Sequence, residues 1–287
     1  MPKKTNTQPR GMKLGQHFLF DKGILSKIAD TAEVSGEDCV LEVGPGLGTL
    51  TEVLAARSCK VAAVELDGAL IPRLRDRLAP YPNTTIVHAD IMKVDLQAIW
   101  RDTFGGKPFK VVANLPYYIT TPVIMRLLEC GLPVISLVVM VQKEVADRLV
   151  STPGGKDYGA ISVAVQYRTV AERSFIVPAG AFSPPPRVQS AVLKMTVRQQ
   201  QPAKVHDMAL FEKTVRGCFA ARRKTLRNNV AASFNLGGDD ASRLIALAGL
   251  DPQGRAEQLD LAAFASLANR LYDEGFRAKQ KLENDIV

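Results

Sequence analysis

The chain has 287 residues, 46% apolar and 23% charged, with a net charge of +8. That is an ordinary globular composition, long enough to bury roughly three-quarters of the surface an unfolded chain exposes. No apolar run approaches the roughly 18 residues of a membrane helix, and the basic first residues lack the apolar core of a secretory signal, so a cytoplasmic protein with no membrane partner is expected. Cys39, Cys59, Cys130 and Cys218 are scattered with no C-x-x-C pair, and His17, His88 and His206 are equally dispersed. This disfavours disulfides and a metal site and suits a reducing compartment.

In chain order, Val40 to Val43 reads as a strand, Leu50 to Arg57 as a helix, Lys60 to Glu65 as a strand and Leu70 to Leu78 as a helix. Further strands are expected at Thr84 to His88, Lys110 to Ala113, Val134 to Val141 and Ala191 to Val197. Alternating strands and helices, with near-continuous apolar strands, predict an α/β fold with a parallel sheet covered on both faces. Such sheets bind ligands beyond the carboxyl ends of their strands. The polar stretch Arg198 to Ala203 reads as a linker, and beyond it the pattern is helical: Met208 to Ala220, Leu226 to Ala232, Asp240 to Leu247 and Leu261 to Tyr272. The chain is therefore divided into an α/β domain over 1–200 and a small all-α domain over 201–287.

The charge is uneven. Residues 1–13 carry Lys3, Lys4, Arg10 and Lys13 with no acid, and residues 204–230 carry seven basic residues against Asp207 and Glu212. Charge concentrated in this way fits a polyanionic partner, because each neutralised phosphate releases counterions. Arg216, Arg223 and Arg227 would share a face suited to phosphates if their helix were continuous.

Val40 to Thr51 spells a strand, a glycine-rich turn with Gly44, Gly46 and Gly48, and a helix. The spacing is G-x-G-x-G, where a pyrophosphate favours G-x-G-x-x-G, and Pro45 removes a backbone N–H that a phosphate could use. A cofactor without phosphates fits better, and S-adenosylmethionine is one. Glu65 ends the next strand about 20 residues on, where a carboxylate can take both ribose hydroxyls. Asp90 follows the strand after that, placed to accept from an adenine amino group.

The strand Lys110 to Ala113 runs into Asn114-Leu115-Pro116-Tyr117. An exocyclic adenine amine is a poor nucleophile because its lone pair is delocalised into the ring. Acceptors at the Asn114 side-chain oxygen and the Leu115 carbonyl would draw that nitrogen toward tetrahedral geometry, and positioning would supply most of the remaining gain. Pro116 stiffens the turn, and Tyr117 offers a ring for a base turned out of its helix.

These motifs resemble those of the ribosomal RNA adenine N6-dimethyltransferases, in particular the bacterial small-subunit branch. The similarity runs nearly end to end. Lys13 to Leu19 resembles the family's K-x-G-Q-x-F-L opening, Leu41 to Gly48 its glycine loop, Phe182 to Val192 its F-x-P-x-P-x-V-x-S-x-V segment, and Arg222 to Asn228 its basic helical signature. The resemblance implies a class I, Rossmann-like methyltransferase fold with S-adenosylmethionine held by His17, Leu19, Gly44, Gly46, Glu65, Asp90 and Asn114. It also implies that Phe182 covers the target base against Tyr117 and that Arg222, Arg223, Lys224 and Arg227 hold RNA. The activity implied is dimethylation of two adjacent adenines in a hairpin near the 3′ end of small-subunit rRNA, inside a pre-ribosomal subunit; apart from the resemblance, the chain is expected to act as a monomer and without metal. A large-subunit rRNA methylase, a DNA adenine methylase, a non-catalytic assembly factor and a nicotinamide oxidoreductase are the competing readings.

Overall fold

Strands that must be buried on both faces need helices on either side, and over residues 18–150 the chain supplies strands and helices in alternation. The structure, a computed structural model, describes residues 17–278. The basic tail, with the motif residues Lys13 to Gln16, lies outside the described residues. The elements are β1 (Phe18–Leu19), α1 (Lys22–Thr31), β2 (Cys39–Val43), α2 (Thr49–Ala55), β3 (Lys60–Glu65), α3 (Ile71–Leu78), β4 (Thr84–His88), α4 (Leu96–Asp102), β5 (Phe109–Asn114) and α5 (Thr120–Glu129). They continue with β6 (Val134–Gln142), α6 (Lys143–Val150), α7 (Ala160–Arg168), β7 (Thr169–Val177), β8 (Phe182–Ser183), β9 (Ser190–Val197), α8 (Met208–Cys218), α9 (Leu226–Phe234), α10 (Gly238–Leu247) and α11 (Leu261–Asp273).

One sheet has the order β4-β3-β2-β5-β6-β9-β7, and the pairs β4–β3, β3–β2, β2–β5 and β5–β6 are parallel. The expected α/β class and mostly parallel sheet are what the structure has. Burial follows position in the sheet. All five residues of central β2 are buried, whereas edge strand β4 has none fully buried. The chain moves outward from β2 to β4, then returns to β5 on the other side of β2. Strand order therefore reverses between β2 and β5, and a crevice opens beyond their carboxyl ends. At the opposite ends, the Lys110 ammonium donates to the Glu33 carbonyl at 2.7 Å and to the Asp38 carboxylate at 3.0 Å, tying the starts of β5 and β2 together.

The chain forms two compact units, one of residues 1–143 with 174–194 and one of 144–173 with 195–287. This differs from a single cut near residue 200. The segment 144–173 joins the helical unit because it buries Tyr158, Val163 and Tyr167 in one apolar cluster with Phe211, Leu226, Phe234, Phe264 and Leu271. Tyr167 and Phe211 lie with ring centroids 4.7 Å apart, and the Tyr158 hydroxyl donates to the Leu259 carbonyl at 3.0 Å. The first unit has its own cluster, including Leu25, Ile28, Val40, Leu54, Val61, Val112 and Val138.

The helix expected over Met208 to Ala220 stops at Cys218, and the next begins at Leu226. Arg216, Arg223 and Arg227 therefore do not share one helical face. The connection is held by the buried Asn229 amide, which donates to the carbonyls of Cys218 at 2.7 Å and Ala221 at 3.1 Å.

Phe264 is wholly buried at the centre of the second cluster. Phe264→Ala is expected to cost about 3–5 kcal/mol, read as a lowered midpoint in urea unfolding.

Candidate active site

The carboxyl ends of β2, β3, β4 and β5 stand side by side, so the residues just past them share one cavity. Its lining includes His17, Leu19, Glu42, Gly44, Gly46, Glu65, Asp90, Asn114, Leu115 and Tyr117. Every cofactor-binding residue expected from the sequence is on this wall. Of the expected catalytic residues, Asn114, Leu115 and Tyr117 are present and Phe182 is not.

The glycine loop is built for a close approach. Gly44, Gly46 and Gly48 all have positive φ, where a side chain is strained. A β-carbon on Gly46 would stand 3.1 Å from the Phe18 ring. The Gly46 N–H donates to Glu65 Oε2 at 3.0 Å, and the Asp67 N–H donates to Glu65 Oε1 at 2.8 Å. Each oxygen has a second lone pair, so the buried Glu65 carboxyl can still accept from a diol. Asp90 uses Oδ1 to accept the Met92 N–H at 2.8 Å, closing its own turn beyond β4.

Asn114 ends β5. Its Nδ2 donates to the His17 carbonyl at 3.4 Å, which leaves Oδ1 as the atom available to accept from an amine. The Leu115 N–H donates to the Met140 carbonyl at 3.1 Å, anchoring the turn to β6. Pro116 leads into a single 3-10 turn over Tyr117–Ile119, and the Thr120 hydroxyl donates to the Pro116 carbonyl at 3.2 Å. The half-buried Tyr117 hydroxyl pairs with Ser190 Oγ at 2.7 Å. Burial pushes the phenol up, against the opposing pull of that bond. Ser190 was not expected from the sequence, although it belongs to the S-x-V part of the quoted segment.

Phe182 is placed differently from the sequence reading. It pairs with Leu19 in the short antiparallel β1–β8 sheet, is 5% exposed, and packs into the core of the first unit. Alternation along β8 turns Phe182 inward and Ser183 outward. The ring that faces Tyr117 is His17, with centroids 6.0 Å apart and planes inclined by 32°.

The four basic residues singled out in the second unit divide into pairs. Arg222 donates to the carbonyls of Lys156 and Tyr158, at 2.8 and 3.2 Å. Arg227 donates to the Gly238 carbonyl at 3.1 Å and lies 3.5 Å from the Asp239 carboxylate. Arg223 and Lys224 are exposed, with no partner among the described residues. Among the described residues no group of three or more His, Cys, Asp or Glu could hold a metal, and no helix is long and apolar enough to cross a membrane.

The family model described as ribosomal RNA adenine dimethylase matches residues 9–273. The chain belongs to this family. It is a methyltransferase, and ribosomal RNA is its substrate class. It is 49% identical over 262 residues to ribosomal RNA small subunit methyltransferase A of Geobacillus kaustophilus (strain HTA426), covering 90% of this chain and 89% of that protein. The protein of the same name from Shouchella clausii (strain KSM-K16) is 47% identical over 264 residues, covering 90% and 88%. Among solved structures, a dimethyladenosine transferase from Plasmodium falciparum superposes with a TM-score of 0.77 at 23% identity, covering 92% of this chain and all of that one. The 23S rRNA methyltransferase ErmE superposes at 0.67 with 26% identity, covering 89% and 99%. These neighbours carry the class I methyltransferase fold that the motifs implied.

A second site residue escaped the sequence reading although a signal was there: Glu42, an acid inside an otherwise apolar strand. It is 1% exposed. Among the described residues its Oε2 and the Thr51 hydroxyl are buried without a hydrogen-bond partner of normal geometry. Burial pushes its carboxyl up to about 8, the nearby Thr51 hydroxyl opposes the shift, and the Glu65 charge adds to it. In the unfolded chain the group ionises near 4.5. The stability its proton contributes is therefore whole below about 4.5 and lost as pH rises through about 8. Glu42→Gln is expected to melt close to wild type at pH 5 and to be more stable at pH 9, by on the order of 2–4 kcal/mol. Thermal melts across that range check it.

Proposed function

We propose that the chain dimethylates the N6 amines of two adjacent adenines in the hairpin near the 3′ end of small-subunit rRNA, with S-adenosylmethionine as methyl donor. On this reading it acts as a cytoplasmic monomer on a pre-ribosomal small subunit. The observation that carries the proposal is that Asn114-Leu115-Pro116-Tyr117 opens into the same cavity as the glycine loop, Glu65 and Asp90. The names and closeness of the two bacterial relatives favour the small-subunit rRNA over the large-subunit and DNA alternatives.

The cavity fits the cofactor. Gly46, in the left-handed region, keeps a β-carbon out of the space beside Phe18, and the buried Glu42 is among the residues lining the cavity. When bound, S-adenosylmethionine supplies a methyl group already activated on a sulfonium. Glu65 would take the ribose hydroxyls and Asp90 the adenine amino group, with Gly44, Gly46, Leu19 and the main chain of His17 forming the remaining wall. The Asn114 Oδ1 and the Leu115 carbonyl would accept from the target amine, localising its lone pair, and Tyr117 would support the base from a hydroxyl already pinned to Ser190. The exposed Arg223 and Lys224 would meet phosphates, while Arg222 and Arg227 add charge and brace the connection that presents them.

Offered radiolabelled cofactor with undermethylated small subunits, large subunits and duplex DNA, the protein is expected to label only the small-subunit rRNA, with primer extension stopping at two adjacent adenines. Label in DNA alone would reject the proposal. Asn114→Ala should lower kcat by roughly 10²-fold or more while pull-down of small subunits persists. Replacing Arg223 and Lys224 together with alanine should weaken small-subunit binding and reduce the slope of log K against log salt by about 1.5.

A further inference from the structure

A base turned out of its strand stays tied through its ribose to backbone phosphates, and those phosphates remain at the mouth of the cavity it enters. The cavity itself offers them nothing. Glu42, Glu65, Asp67 and Asp90 are among its lining residues, and no lysine or arginine is. Acids held in a crevice repel a polyanion, so a strand that delivers a base here needs a cation beside the opening.

The segment between β8 and β9 borders that opening and supplies one. It is fixed at one end where the Pro184 carbonyl accepts from His17 Nδ1 at 2.8 Å. The other end is fixed twice. The Lys143 N–H donates to the Gln189 carbonyl at 2.9 Å, and Ser190 Oγ pairs with the Tyr117 hydroxyl at 2.7 Å. His17 and Tyr117 both line the cavity. Pro184, Pro185 and Pro186 each fix φ and stiffen the segment. Pro186 is buried, whereas Arg187, Val188 and Gln189 are exposed. Arg187 stands three residues from each fixed end, so its Cα lies within about 11 Å of both. It is the only charged residue from Ser174 to Ser190, and its guanidinium has no partner among the described residues.

We propose that Arg187 takes a backbone phosphate beside the flipped adenine and so holds the strand at the mouth of the cavity. This rests on the proposed function, because it takes the base delivered to Asn114 to come from RNA. A planar guanidinium suits the task, since it can donate two parallel N–H bonds to two phosphate oxygens. A phosphate is met whatever the sequence, so Arg187 contributes affinity and register and leaves the choice of base to the cavity.

The test has two arms. In the first, undermethylated small subunits are titrated over a salt series with wild type, Arg187→Gln, Arg187→Lys and Lys60→Gln. Arg187 is exposed and unpaired among the described residues, so its replacement leaves the fold intact. Lys60 is exposed at the start of β3, the end of the sheet away from the cavity, and controls for the loss of one charge. Arg187→Gln is expected to weaken binding about threefold to tenfold and to reduce the slope of log K against log salt by about 0.7. Arg187→Lys should keep the slope, and Lys60→Gln should match wild type. An unchanged slope in Arg187→Gln, or an equal change in Lys60→Gln, overturns the proposal. The second arm uses a short RNA with one adenine, bound in the presence of S-adenosylhomocysteine. A single uncharged methylphosphonate linkage is placed on one side of the adenine or the other. Wild type is expected to lose affinity at one of the two linkages, and Arg187→Gln to lose none there. Equal losses in the two proteins, or no loss in either, overturn the assignment. If the wild-type protein labels no small subunits, the proposed substrate fails, and the short RNA still decides the role of Arg187.

Discussion

The Glu65 carboxyl, 6% exposed and accepting from the Gly46 and Asp67 N–H groups, is the interaction on which the site depends. β2 and β3 run parallel in register, with Val43 opposite Val64, and the Gly44 N–H continues the ladder to the Val64 carbonyl at 2.9 Å. Beyond that point the two chains must diverge, one into α2 and the other toward α3, and each leaves a backbone N–H that the ladder cannot use. A single carboxyl satisfies both. It thereby fixes how far the glycine loop stands from the end of β3 and how wide the crevice is. The geometry demands positive φ at three positions within five residues, and glycine occupies all three.

Polar groups collect at one end of the sheet because the rest of it has no room for them. Strands buried on both faces leave only their ends for chemistry, and the Lys110–Asp38 pair occupies the amino end. Glu42 breaks this pattern as an acid within β2. A buried carboxyl without a full set of partners disfavours ionisation, and that cost is retained within β2. Tyr117 shows the complementary arrangement: its hydroxyl is satisfied by Ser190, so its ring is placed without leaving a polar atom unmet.

Much of this was legible in the sequence. Strand limits read from apolar and β-branched runs match β2, β3, β4, β5, β6 and β9 to within a residue or two, because most positions in these strands are apolar or β-branched. The residues past those strands followed from the rule for parallel sheets. What was missed has physical reasons. β7 has Glu172, Arg173 and Ser174 at its centre and is largely exposed at the edge of the sheet, so it lacks a strand's apolar signature. The attachment of residues 144–173 to the helical unit depends on contacts far apart in sequence, Tyr158 and Tyr167 with Phe211 and Phe264, that no local pattern records. The pairing of Phe182 with Leu19 is likewise non-local.

The break between α8 and α9 changes what the basic cluster can do. A continuous helix would spread Arg216, Arg223 and Arg227 along one face, each on a long side chain that must be ordered when it meets a phosphate. In the observed connection the buried Asn229 amide replaces the helical bonds lost at Cys218 and Ala221. The Arg222 and Arg227 guanidinium groups are already held by main-chain carbonyls, and a guanidinium keeps its charge while donating to a neutral acceptor. Two cations are thus pre-ordered beside two exposed ones. Pre-ordering lowers the entropy lost on association, so under the proposed RNA contact the braced loop would lose less entropy than a continuous helix with four free side chains.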